Sequence, residues 1–197
     1  MRRALLAIVL LAAGCGSSPP ARFYTLTAVP APGAGAPPAG AAAPTDVSVA
    51  VGPVSVPVAV DRPQIVVTVN ANQVSLDEFN RWASPLASNI ARVVAENLAA
   101  QLGTPRVGLS AQALSPARVD YRAAIEVQRF ESALGDAATL EAVWTVSRDA
   151  DGRSRTGRTV ARETTPDRSY DALAAAHSRA VARLSRDIAE AVRGLQP

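Results

Sequence analysis

Apolar residues recur at every second position over several stretches of this chain and at helical spacing over two others. Val47, Val49 and Val51 alternate with small residues. Val54, Val56, Val58 and Val60 repeat the pattern, and Ile65, Val67 and Val69 follow beyond Asp61-Arg62-Pro63. Alternation of this kind predicts half-buried strands, broken at Pro53, Pro57 and Pro63 because proline has no N–H to give a ladder. Asn70-Ala71-Asn72 predicts a turn into a short extended piece from Gln73 to Phe79. Ser84-Pro85 predicts a helix start, with Ser84 as the cap and Pro85 in the first turn, where no N–H bond is required. Ile90, Val93, Val94, Leu98 and Leu102 give that helix one apolar stripe, and Gly103 ends it. A strand near residues 106–109 completes a β-α-β passage.

Two longer alternating runs follow. Val119, Tyr121, Ala123, Ile125 and Val127 face one way, as do Ala138, Leu140, Ala142, Trp144 and Val146 beyond a turn at Gly135-Asp136, which predicts an antiparallel hairpin. A turn at Asp149-Ala150-Asp151-Gly152 leads into residues 153–164, where Arg155, Arg158 and Arg162 suit an edge strand. Leu173, His177, Val181, Leu184, Ile188 and Val192 then mark a second amphipathic helix from Tyr170 to Leu195. The predicted fold class is α/β: a single-domain sandwich of a mixed, mainly antiparallel sheet with two amphipathic helices packed on one face.

The N-terminus changes the compartment. Arg2 and Arg3 precede an apolar run from Ala4 to Ala13, and small residues lead to Cys15, so residues 1–14 are expected to be a signal peptide. The run is well short of the roughly 20 residues that span a bilayer. Cys15, the single cysteine, ends Leu11-Ala12-Ala13-Gly14-Cys15 where a lipobox needs a thiol. Cys15 is therefore the expected lipidation site, and two or three acyl chains on it would make a stable anchor. Gly16, and not an aspartate, comes next, which points to the outer membrane with the protein facing the periplasm. With its one thiol acylated, the chain is left with no disulfide to form.

Residues 30–44 contain only Ala, Pro and Gly and read as a semi-extended spacer. Residues 15–44 are thus expected to be a lipidated N-terminus, a first strand and a linker, and residues 45–197 one domain. The formal charge is +3, with 20 basic and 17 acidic side chains; loss of Arg2 and Arg3 leaves 18 against 17, or +1. That balance lacks the basic footprint of a nucleic-acid binder.

The residues that could carry catalysis are few. The single histidine, His177, sits on an apolar stripe, which favours a structural role over a general base. Asp149, Asp151 and Gly152 resemble the opening of a calcium loop, yet Arg153 and Arg155 stand where further oxygen ligands belong. Asp77 and Glu78 are adjacent in an extended segment and point to opposite faces. The expectation is a non-enzyme without metal or cofactor.

Four stretches in order carry a family resemblance: Arg22-Phe23-Tyr24-Thr25-Leu26, Val51-Gly52-Pro53-Val54, Asp61-Arg62-Pro63-Gln64-Ile65-Val66 and Arg81-Trp82-Ala83-Ser84-Pro85-Leu86. The sequence resembles the ABC-type transport auxiliary lipoproteins, the PqiC-like family. The resemblance implies an outer-membrane partner of a periplasmic MCE-domain protein with its ABC permease and ATPase, acting in lipid transport and envelope integrity. It also makes a homo-oligomer a reasonable expectation, because MCE assemblies are rings. Arg62, Pro63, Gln64, Arg81 and Trp82 are the candidate partner interface, since arginine and aromatic side chains concentrate interface energy. Two other classes stay open: a periplasm-facing lipid- or ligand-binding lipoprotein, and a structural lipoprotein of another envelope complex.

Overall fold

The computed structural model describes residues 19–29, 47–109 and 119–197. Along the chain run β1 (Arg22–Tyr24), β2 (Val49–Ser55), β3 (Gln64–Asn70), β4 (Gln73–Trp82), α1 (Leu86–Leu102), β5 (Val107–Leu109), β6 (Tyr121–Ala133), β7 (Ala137–Arg148), β8 (Ser154–Thr164) and α2 (Tyr170–Gly194). The alternation that predicted the hairpin holds within the two strands for all of its apolar positions, while Val119 lies before β6 and is half-buried and Ala137 and Glu141 of β7 are buried out of phase. Tyr121, Ala123, Ile125 and Val127 of β6 and Ala138, Leu140, Ala142, Trp144 and Val146 of β7 are all buried. Gly135 turns the chain with φ 74° and Gly152 does so with φ 71°, conformations that favour glycine. β8 pairs with β7 alone, and Arg158 and Arg162 on it bond to Glu141 and Asp136. Gly157 of β8 is required by a close approach: a Cβ there would lie 2.3 Å from the Trp144 ring.

The strands form one curled mixed sheet. β2 lies against the first half of one edge of β6 and β3 against the second half, both parallel to it. β1 pairs parallel with β4, β5 parallel with β2, and β3-β4, β6-β7 and β7-β8 are antiparallel. Four of the seven pairings among the described residues are therefore parallel, which corrects the mainly antiparallel expectation. The reason is connectivity. After β2 the chain loops out over residues 56–63 and continues in the same direction as β3, and it returns through α1 to lay β5 beside β2.

Other departures are local. The second valine run does not continue as a strand: β2 ends at Ser55, and the Val60 N–H donates to the Pro57 carbonyl in a turn that leaves Val58 exposed. β4 runs on to Trp82, past the expected end at Phe79. Helix α1 starts at Leu86 with Pro85, φ −50° and ψ 132°, as its cap residue and no side-chain cap bond, so Ser84 does not cap it. Gly103 closes α1 in the left-handed conformation, φ 65°, as expected. Ser169 caps α2 by accepting from the Ala172 N–H at 3.1 Å.

Both helices share one face of the sheet and touch each other, Asn97 Nδ2 donating to Ser185 Oγ at 3.3 Å. Ala176, Ala180, Ala189 and Ala191 are fully buried, and such small side chains let α2 approach its neighbours closely. Leu173, Val181, Leu184, Ile188 and Val192 are also fully buried, each such burial contributing about 1.5–3 kcal/mol.

Candidate functional site

The segment nearest the expected anchor is built into the body. Tyr24 of β1 is buried, Leu26 is fully buried, and residues 25–29 run between the two helices as a strap. Each turn of this strap finds a polar partner. The Thr27 N–H donates to Ser178 Oγ of α2 at 3.1 Å and the Val29 N–H to Asn97 Oδ1 of α1 at 3.2 Å. Arg92 donates to the Leu26 carbonyl at 2.6 Å and to Asn89 Oδ1 at 2.8 Å. Leu26 is buried while Thr25, Thr27 and Ala28 stay exposed, so the strap lies over the seam of the two helices with one side chain sunk into it and these bonds fixing its backbone there. Asn89, Asn97, Ser178 and Ser185 interrupt otherwise apolar helix faces, and that interruption was the signal in the sequence that a third segment lies between the helices.

β1 is tied to β4 at a bulge. Register passes from Ile65 opposite Asp77 to Gln64 opposite Arg81, so residues 78–80 are extra. Asp77 Oδ1 accepts from the N–H groups of Phe79 and Asn80, each at 2.9 Å, and Oδ2 accepts from the Tyr170 hydroxyl at 2.7 Å. The Tyr24 hydroxyl donates to Asn80 Oδ1 at 2.8 Å, and the Tyr24 and Tyr170 rings lie 5.8 Å apart. Burial raises the Asp77 pKa, but the bonds from Tyr170, Asn80 and the Phe79 amide outweigh it and hold the carboxyl below its ordinary value. The Tyr170 hydroxyl is pushed up, first by burial and then by its bond to Asp77. This cluster locks the bulge to the start of α2.

The five interface candidates meet at one end of β3 and β4. Arg62 and Pro63 are exposed on the loop before β3. Gln64 stands opposite Arg81, and both bond to Glu78, Gln64 Nε2 at 3.3 Å and Arg81 Nη2 at 3.3 Å. The Trp82 N–H donates to the Pro63 carbonyl at 2.7 Å. The Trp82 side chain is only 5% exposed and packs edge-on against Phe130 and His177. Cys15 and residues 30–44 lie outside the described residues.

His177 is fully buried, stacked on Phe130 with ring centroids 3.9 Å apart, and its Nε2 lies 2.8 Å from Ser132 Oγ. Its Nδ1 has no partner, and burial lowers its pKa to about 3. A proton-transfer role needs access that this ring lacks. Asp149 pairs with Arg122, and Asp151 with Arg148 and Arg153, which suits a braced turn. Among the described residues no group of three or more His, Cys, Asp or Glu is placed to hold a metal ion, and no helix is long and apolar enough to cross a membrane. Two surface clefts, of about 450 and 330 Å³, lie at the sheet end beside Asp120 and Arg148 and between α1 and β5. The space between helices and sheet is filled by Leu26, Ile90, Leu184 and Ile188, each fully buried.

The family model for the ABC-type transport auxiliary lipoprotein component matches residues 24–189. The chain belongs to this family. In this auxiliary lipoprotein, the four resembling stretches fall on β1 and the start of the strap, the irregular part of β2, the loop into β3 and the passage from β4 to α1. A crystal structure of an uncharacterized protein is similar at TM-score 0.69 and 19% identity, covering 88% of this chain and 99% of that one. A Xanthomonas campestris protein of family model DUF330 is similar at TM-score 0.69 and 21% identity, covering 88% of this chain and 97% of that one. Both likenesses show the shared fold. A PelC dodecamer from Paraburkholderia phytofirmans reaches TM-score 0.40 at 16% identity, covering 72% of this chain and 85% of that one, too distant to bear on assembly. No curated protein sequence matches the chain.

Proposed function

We propose that this auxiliary lipoprotein is a non-catalytic outer-membrane component of an MCE/ABC-type lipid transport system, anchored through Cys15 and docked on a periplasmic MCE-domain assembly. The observation that carries the reading is the family match over residues 24–189. The strap supports it: the segment following the anchor is clamped between both helices, so a pull on the lipid end is transmitted to the whole body and not to a loose tail. The non-catalytic part draws support from the burial of His177, which leaves no accessible histidine.

Arg62 and Pro63 form the centre of the proposed docking contact, exposed on their loop and, for Arg62, engaged in no ion pair among the described residues. Gln64 and Arg81 stand beside them, already oriented by Glu78. Trp82 holds the strand that carries Arg81 and contributes from within the core. Changing Arg62 and Arg81 together to alanine is expected to reduce the MCE protein retained on the tagged lipoprotein several-fold with an unchanged melting curve, because rim arginines act on association and little on folding. Equal retention by the double variant and the wild type would remove these residues from the contact.

A further inference from the structure

Five of the seven exposed large apolar side chains among the described residues belong to three adjacent strands: Phe23 on β1, Val69 on β3, and Val74, Leu76 and Phe79 on β4. Phe23 is 64% and Val74 59% exposed. Register places most of them on one side. Phe23 stands opposite Arg81 while its neighbour Tyr24 stands opposite Trp82; Tyr24 and Trp82 face the core, so Phe23 faces away from it. Val74 and Leu76 pair with Thr68 and Val66, whereas the core-facing Ile65 and Val67 pair with Asp77 and Ser75. Phe79 lies in the bulge two residues before Arg81. Isolated exposed apolar residues need no explanation, but a concentration of them on one sheet face marks a contact surface.

The length of chain before β1 decides what covers this face. Phe23 follows Cys15 by eight residues, a reach of at most about 29 Å when fully extended. A folded domain of this size is about 40 Å across. A tether shorter than the body keeps the β1 edge within that reach of the bilayer and prevents it from becoming the far side of the body. From this geometry we infer that the outer face of β1, β4 and β3 rests on the membrane, with Phe23, Leu76 and Phe79 at the acyl boundary. Aromatic and aliphatic side chains presented on one face are suited to that boundary. The loop with Arg62 and Pro63 leaves the sheet between β2 and β3 and stays clear for a protein partner. This inference rests on the Cys15 anchor proposed above.

The test uses the acylated protein, purified from its host and reconstituted in vesicles of phosphatidylethanolamine and phosphatidylglycerol. Leu76→Cys, Phe79→Cys and, as a control at the opposite end of the sheet, Ala150→Cys each supply one thiol for an environment-sensitive fluorophore. The labels at positions 76 and 79 are expected to be quenched several-fold more by lipid-borne nitroxide than the label at 150, and less by aqueous iodide. Equal iodide quenching at all three positions would overturn the inference. Shielding of 76 and 79 from both quenchers would overturn it too, in favour of a second copy of the chain covering the face. Mass spectrometry of the N-terminal peptide separates the two failures: no acyl group on Cys15 removes the anchor and this inference together, whereas acylated protein with water-exposed labels removes this inference alone.

Discussion

Cys15→Ser, exported behind a signal peptide that leaves no lipid on the mature chain, is expected to move the protein almost wholly from the membrane pellet to the soluble periplasmic fraction. The magnitude follows from the anchor. One acyl chain gives only marginal binding, about 10⁴ M⁻¹, and each further buried methylene adds about 0.8 kcal/mol, so two or three chains together are effectively permanent on a cellular timescale. None of the described helices can replace them, since none is long and apolar enough to cross a bilayer. The apolar face of β1, β3 and β4 would leave the variant a weak affinity for vesicles, which dilution and washing would remove. Fractionation after a carbonate wash checks this. A variant that pellets as firmly as the wild type would show that the body is held by another route.

The second large effect is on acid stability. Between about pH 6 and about pH 4.5 the native state is expected to lose about 2 kcal/mol through His177 alone. The sign follows from the burial that lowers its folded pKa from 6.5 to about 3. Above the unfolded value the ring is neutral in both states and costs nothing. As pH falls below it, the unfolded chain gains a proton that the folded chain refuses, so stability declines by up to about 1.4 kcal/mol per pH unit until the folded ring titrates near pH 3. Asp77, whose folded pKa is lowered from 3.8, contributes stability present above that value and lost further down the scale. The Asp77 window opens only near pH 3.8, so the range above it reports His177 alone. Denaturant titrations of the wild type and of His177→Gln, which keeps a partner for Ser132, should diverge progressively from about pH 6.5 down to about pH 3 and run parallel only below that. Parallel curves throughout would mean that His177 is solvated in the native state.

The contrast between these residues shows what the sequence disclosed. The stripe containing His177 was legible because its neighbours at helical spacing are all apolar, and the β6-β7 hairpin was legible because its partners are adjacent in sequence. Parallel pairing was not. β1 meets β4, and β2 meets β5 and β6, across long separations that leave no local pattern. The strap had a signal in Asn89, Asn97, Ser178 and Ser185, but polar residues on an apolar stripe say only that something polar is bonded there, not which segment. Trp82 illustrates the limit for function: aromatic character fits an interface or a core equally well, and its edge contacts with Phe130 and His177 place its ring inside. Arg62 and Pro63, by contrast, stand exposed where the motif put them.

The central claim is a lipid-anchored auxiliary component docked on an MCE assembly. Its most direct test is affinity purification of the full-length protein, extracted from the membranes of its own host, with mass spectrometry of both the N-terminal peptide and the co-purified proteins. The expected result is an acylated peptide beginning at Cys15 together with an MCE-domain protein and ABC transporter subunits. An unmodified N-terminus and the absence of those partners would contradict it.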